Sequence, residues 1–216
     1  MTATHAAFEN GGHRETVMIR NFLLHGSNAL LILAALIIAG FALAGLYPLF
    51  PLWIVAGAAL FYLSEYSTHR FLFHAAPSSW GWVRALQHRL HYDHHIDPNR
   101  LDLLFLPAWF LIPNLSLTFL IGWAVGGSWT LGLSLVLGAM LGLIHYEWVH
   151  YIAHIPYRPL TRFGRWMKKY HLWHHYKNEH SWFGVSNPMM DVINRTYKEP
   201  EAVPRSTTVK VLHPEI

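Results

Sequence analysis

The 216-residue chain is 53% hydrophobic, 13% charged and free of cysteine, with a formal net charge of +4 when its histidines are neutral. One domain over residues 1–216 fits that length, and the hydrophobic share is high for a soluble protein. The lack of thiols excludes disulfides, thiolate metal sites, iron–sulfur clusters and a cysteine nucleophile. Lys and Arg flank long apolar blocks instead of gathering on one soluble face, which argues for a membrane and against nucleic acid.

In chain order, residues 1–20 are polar and lack the layout of a cleaved signal peptide. They read as a short cytoplasmic tail, poorly ordered up to Gly12. Residues 22–46 are apolar with one ionisable side chain, His25. That length can cross a hydrocarbon core of about 30 Å as a helix. An uncharged turn, Tyr47-Pro48-Leu49-Phe50-Pro51, leads to a second span over 52–66 that continues toward His69. Residues 67–100 are polar and carry six histidines. Residues 101–125 are apolar again but interrupted by Pro107 and Pro113, and Gly126-Gly127-Ser128 supplies a turn. A fourth apolar block, 129–144, runs into the histidine-bearing, basic region 145–216.

Two hairpins of about four transmembrane helices follow, with both polar regions and both termini on one side. The alternative is a re-entrant or monotopic third block, because of its prolines. The positive-inside rule places the basic side in the cytoplasm. The expected fold is all-α and integral to the membrane, with a cytoplasmic helical cap.

Ten histidines form four motifs on that side. They are His69 and His74 (HX4H), then His91, His94 and His95 (HXXHH). His150 and His154 follow (HX3H), then His171, His174 and His175 (HXXHH). Neutral imidazole is a common metal ligand, binding through one nitrogen while the other donates a hydrogen bond. Ten exceed what one ion takes, so the arithmetic points to two metal ions. At helical spacing each HXXHH motif sets three rings on one stripe, and His150 and His154 share a face. His69 and His74 fall more than a quarter turn apart, which suits a helix end or two ligands reaching different metals. Each half of the chain supplies five ligands; which five hold which ion stays open.

His88, His145 and His180 lie beside the motifs and read as supporting or solvated groups. His5, His13 and His213 read as solvated, and His25 as interfacial. Glu65, Asp93, Asp97, Glu147 and Asp191 are candidates to accept ring N–H groups, with helix capping or an Arg partner as the alternative. Trp80, Trp82, Trp148, Trp166, Trp173 and Trp182 are candidates for a substrate channel or, more simply, for interfacial anchors.

These motifs resemble the fatty acid hydroxylase and sterol desaturase superfamily of membrane di-iron enzymes. The likeness runs from residue 65 to 191. It rests on Glu65-Tyr66 before His69, on His91 to His95 with Asp97-Pro98, on Tyr146-Glu147-Trp148-Val149-His150, and on Tyr170-His171. Phe183-Gly184-Val185-Ser186 and the HX3H motif look most like the fatty acid 2-hydroxylase branch. The resemblance implies two irons held by the ten motif histidines, O2 as co-substrate, and a lipid drawn from the bilayer. It also implies a multi-pass protein of a bacterial inner membrane, or of the endoplasmic reticulum in a eukaryote. About twenty residues precede the first span, too few for a haem domain. Electrons are therefore expected from a separate ferredoxin or cytochrome b5 type donor with a reductase. A sterol or carotenoid hydroxylase or desaturase is the nearest rival. A zinc hydrolase is disfavoured because no HExxH motif occurs. A metal transporter is disfavoured because the ligands sit at span ends.

Overall fold

A computed structural model describes residues 16–214; the tail up to residue 15, with His5 and His13, lies outside the described residues. Every regular element among them is helical, and none is a strand. Residues 16–24 are helical and lead into α1 (Gly26–Leu43) and α2 (Pro51–Thr68). A π-turn over His69–Phe73 follows, then α3 (Gly81–Gln87), a second π-turn (His88–Tyr92) and α4 (Asp93–Ile96). Next come α5 (Leu101–Leu104), α6 (Ala108–Gly126), α7 (Trp129–His154), α8 (Arg162–Tyr176) and α9 (Met189–Ile193).

Three stretches are long and apolar enough to cross a membrane: Gly26–Leu43, Leu101–Gly126 and Trp129–His154. α2 forms in the second expected span, but its last five residues, Ser64-Glu65-Tyr66-Ser67-Thr68, are mostly polar. The two prolines of the third block act differently. Pro107 sits just before α6 and breaks the chain from α5, whereas Pro113 lies inside α6. There Asn114 Nδ2 donates to the Phe110 carbonyl at 2.7 Å, so a side chain bonds to the backbone beside the proline. The fourth block runs ten residues beyond its expected end, carrying His145, His150 and His154 on its final turns.

α7 is the central helix, with α1, α2 and α6 all packed against it. Its contact with α2 is backbone to backbone. A Cβ on Gly57 would lie 1.9 Å from the Leu135 carbonyl oxygen, and one on Gly138 would lie 1.9 Å from that of Ile54. Leu31, Ala35, Leu111, Val136, Leu137 and Leu143 form the buried centre among α1, α6 and α7. α2 and α6 barely touch each other, which leaves a cleft over α7.

The end of α7 is tied to α8. Lys168 Nζ on α8 donates to the carbonyls of Ile152, Ile155 and Tyr157 at 2.7–2.9 Å. Those carbonyls lie where a helix terminus lacks partners and where a cation is favoured. α8 is thereby held against the last turn of α7, where the third and fourth histidine motifs meet.

Candidate metal centre

The ten motif histidines converge into two groups of five. His69, His74, His91, His95 and His174 form one; His94, His150, His154, His171 and His175 form the other. Within each group the candidate ligand nitrogens all lie within 4.8 Å of one another. All ten rings are buried except His74, which is half-buried.

The partition does not follow the halves of the chain. In each HXXHH motif the first and third histidines serve one group and the middle one serves the other. On a helix, positions i and i+4 lie about 40° apart, while i+3 falls about 60° to the opposite side. The single stripe expected from the spacing is therefore split in two. Of the two readings of the HX4H spacing, the structure has the helix end: His69 and His74 follow the last turn of α2 and join the same group. The segment between them is a π-turn, closed by His74 N–H donating to the His69 carbonyl at 3.1 Å. A π-turn brings positions i and i+5 closer to one face than an α-helix does, and such turns recur at functional sites. Gln87 supports the turn, donating to the Leu72 carbonyl at 2.9 Å and accepting from Ser78 N–H at 2.9 Å.

The nitrogens are arranged as a cation would require. Nε2 of His91 lies 2.7 Å from that of His74 and 3.2 Å from that of His69, and His174 Nε2 lies 3.0 Å from His74 Nε2. In the second group, His150 to His94 and His154 to His171 are 3.0 and 2.9 Å. Bonds of about 2.1 Å to one ion place ligands at right angles about 3.0 Å apart, and tetrahedral ligands about 3.4 Å apart. The shorter spacings fit a five- or six-coordinate ion. His95 Nε2 and both nitrogens of His175 are buried without a partner. Such groups are rare unless something else satisfies them. The donor set therefore fits two metal ions.

Backbone carbonyls orient the rings. His69 Nδ1 is bonded to the Phe183 carbonyl, His174 Nδ1 to that of Ser181 at 2.8 Å, and His95 Nδ1 to that of Val209 at 2.9 Å. Each carbonyl must accept, so the proton sits on Nδ1 and the Nε2 lone pair faces the group. Burial holds His69 at a pKa of about 4, against the pull of the Phe183 carbonyl and Asp191, and His95 at about 3. His74, His91, His94, His171, His174 and His175 lie well below the usual imidazole range, through burial first and neighbouring imidazoles second. These rings are neutral, the form that binds metal.

None of the five candidate carboxylates bonds a motif histidine. Glu65 instead accepts from Ser186 N–H at 2.9 Å and Ser186 Oγ at 2.5 Å, joining α2 to the 181–186 loop. Asp191 is that loop's hub. It accepts from Phe183 N–H (2.9 Å), Gly184 N–H (2.6 Å), Tyr170 Oη (2.7 Å) and Thr196 Oγ1 (2.7 Å). Gly184 is required there, since a Cβ would lie 2.2 Å from the Asn187 carbonyl oxygen. Glu147 accepts from Leu106 N–H at 3.0 Å, fixing the break before α6. Asp93 pairs with exposed His88 at 3.1 Å. His145 bonds Tyr62 Oη at 3.0 Å and His180 lies 3.4 Å from Glu179, so all three neighbouring histidines stand outside both groups. His213 is not solvated as expected; it packs against Tyr92 with ring centroids 5.5 Å apart. Glu179 and the carbonyls of Ser181 and Phe183 have no sequence signal beyond their place near the last motif, and Val209, 34 residues after His175, has none.

An apolar cavity of about 250 Å³ ends on the centre. Ala139, Leu143 and Tyr146 of α7 form its floor, with Leu60 and Phe61 of α2 and Leu115 and Thr118 of α6 as walls. His69, His91, His150 and His171 line it at the cap end. None of the six tryptophans weighed for a channel lines it. Trp80 and Trp82 are exposed, while Trp182 is fully buried and donates Nε1–H to the Lys198 carbonyl at 2.9 Å.

A helical membrane body ending in two histidine cages defines a class, and the comparisons agree with it. The family model "Fatty acid hydroxylase" matches residues 54–196, and the chain belongs to that family. Within it the similarity runs to the 2-hydroxylase branch. The chain is 33% identical to fatty acid 2-hydroxylase of Macaca fascicularis, over 70% of this chain and 41% of that protein. It is 34% identical to the ceramide very long chain fatty acid hydroxylase of Saccharomyces cerevisiae, over 76% and 42%. For a dihydroceramide fatty acyl 2-hydroxylase of Arabidopsis thaliana the figures are 30%, 68% and 61%. The chain thus spans about two fifths to three fifths of these relatives' lengths. Among solved structures, full-length Scs7p, of which only the hydroxylase domain is visible, superposes with a TM-score of 0.71 at 28% identity. That match covers 83% of this chain and 68% of the other.

Proposed function

We propose that this chain is a membrane-bound, non-haem di-iron oxygenase that hydroxylates carbon 2 of a fatty acyl lipid, using O2 and externally supplied electrons. The observation that carries the reading is the meeting of two five-imidazole groups with the inner end of an apolar cavity between membrane helices. His69, His74, His91, His95 and His174 hold one ion, and His94, His150, His154, His171 and His175 the other. Bound there, two irons supply O2 reduction and hydrogen abstraction from an unactivated C–H bond, chemistry that no side chain performs. Imidazole accepts iron and zinc alike, so iron rests on the family and zinc is the alternative.

The chain's own residues do the positioning. The cleft between α2 and α6 holds the acyl chain lengthwise along α7, with its reacting carbon at the histidines. Its apolar walls exclude water from the reacting carbon. The carbonyls of Ser181, Phe183 and Val209 hold His174, His69 and His95 in the ligating tautomer. α1 with α2, and α6 with α7, form two transmembrane hairpins. The remaining helices cap the basic, cytoplasmic side, where an electron donor of ferredoxin or cytochrome b5 type docks with its reductase.

The test is mass spectrometry of lipids from cells expressing the chain, beside cells expressing His174→Ala or His94→Ala. Acyl species one oxygen heavier, present only with the unmodified chain, are expected. Full activity in either variant would sink the ligand assignment. A change confined to sterols or carotenoids would move the chain to that branch. No change, in protein shown to be metal-loaded and supplied with reductant, would refute the hydroxylase reading.

A further inference from the structure

The segment after residue 203 lies beyond the stretch matched by the family model, yet it reaches back to the metal centre. Ser206 N–H donates to the Lys177 carbonyl at 2.7 Å, and Asn178 Nδ2 donates to the Pro204 carbonyl at 3.3 Å, so the segment starts at the end of α8. Three residues on, the Val209 carbonyl accepts from His95 Nδ1 at 2.9 Å. The Val209 side chain is 4% exposed.

Between those points sits Glu179, 1% exposed. Its Oε1 accepts from Ser206 Oγ at 2.8 Å and Thr208 Oγ1 at 2.5 Å, while its Oε2 is buried without a partner. A buried carboxylate is costly unless it is well bonded. Among the described residues this one is bonded, apart from exposed His180 at 3.4 Å, only through the two hydroxyls of the segment.

We infer that residues 204–209 form a strap that positions His95 in the first histidine group, and that Glu179 is the positioning residue that latches it. Glu179 touches no ligand. It acts by fixing Ser206 and Thr208, whose chain presents the Val209 carbonyl to the ring. The inference rests on the metal reading above.

The latch chemistry separates a local role from general stability. Glu179→Gln keeps one oxygen to accept both hydroxyls and places its amide where Oε2 has no partner, so it should preserve the latch. Glu179→Ala removes the acceptor. Ser206→Ala with Thr208→Val removes both donors and leaves Glu179 in place.

The experiment loads each purified protein with zinc and follows zinc release to a chelating dye. Unmodified protein is expected to release two equivalents slowly. Loss of a ring's hydrogen-bond partner typically weakens metal binding about 10–100-fold. Glu179→Ala and the double variant should therefore release one equivalent roughly tenfold or more faster and keep the other at the original rate. Glu179→Gln should stay close to the unmodified protein. Unmodified release rates in both latch-breaking variants would overturn the inference. Equal acceleration of both equivalents would also overturn it, since that marks general loosening. If Glu179→Ala fails to fold, the double variant still decides. Unmodified protein that takes up no zinc or iron would instead refute the metal reading.

Discussion

Asp191→Asn tests whether the loop that orients the ligands is held by one carboxylate. Asp191 is fully buried, and its two oxygens accept two hydrogen bonds each. Oδ1 takes Phe183 N–H and Thr196 Oγ1; Oδ2 takes Gly184 N–H and Tyr170 Oη. Asparagine is nearly the same size, but one of its two atoms is an NH2 that cannot accept. Whichever way it turns, two donors lose their acceptor, one of them a backbone N–H. A buried donor left unmet costs about 1–3 kcal/mol, so the substitution should cost about 2–6 kcal/mol. That is a large share of a typical folding stability of about 5–15 kcal/mol. The damage should centre on the carbonyls of Ser181 and Phe183, and through them on His174 and His69. The assay pairs thermal unfolding of the purified protein with metal content per chain. A variant with unchanged unfolding and full metal content would refute the assignment of Asp191 as the hub.

Other consequences follow from packing and charge. Gly138→Val should force α2 away from α7, because its first carbon would lie 1.9 Å from the Ile54 carbonyl oxygen. Overpacking of this kind costs about 1–3 kcal/mol or more, whereas Gly40→Ala meets nothing within 4 Å and should be tolerated. Thermal midpoints of the two variants compare these directly. Ala139→Phe, at the cavity floor, should suppress acyl hydroxylation while metal content stays unchanged; full activity would show that the chain lies elsewhere. Metal-free protein should lose stability on acidification. His69 is held at about 4 in the folded chain against an ordinary value of 6.5. Between those values the unfolded chain binds a proton that the folded chain refuses, so stability falls with pH through that window. A thermal midpoint that does not change between pH 7 and 5 would contradict this.

The sequence displayed the ingredients more fully than their assembly. Apolar runs mark the three stretches long and apolar enough to cross a membrane, and the motif spacings mark the ten histidines that gather into two groups. Pro107 and Pro113 look alike as sequence, yet Pro107 stands at the N-cap of α6 and Pro113 lies inside that helix. The π-turn at His69–Phe73 carries no residue signature, so the HX4H spacing alone does not choose between a helix end and ligands reaching different metals. Carboxylates near the motifs are candidates for the ring N–H groups, but backbone carbonyls hold three of them. A carbonyl is present at every residue, and only the tertiary fold selects Ser181, Phe183 and Val209.

The split of the HXXHH motifs explains why ligand partition could not be read locally. The first group needs His69 and His74 after α2, His91 and His95 around α4, and His174 on α8. The second needs His94, then His150 and His154 on α7, then His171 and His175 on α8. No contiguous segment holds a complete group, and each three-histidine segment serves both. The centre can therefore close only after α8 has docked on the end of α7 and the π-turns have packed against it. Lys168 ties α8 to the last turn of α7, Asp191 ties the 181–186 loop to Tyr170 of α8, and Glu65 ties that loop to α2. Those polar contacts, spread over residues 65–191, bring the four motifs together. The candidate metal centre is a product of the whole helical body, and an isolated motif peptide lacks the partners to reproduce either group.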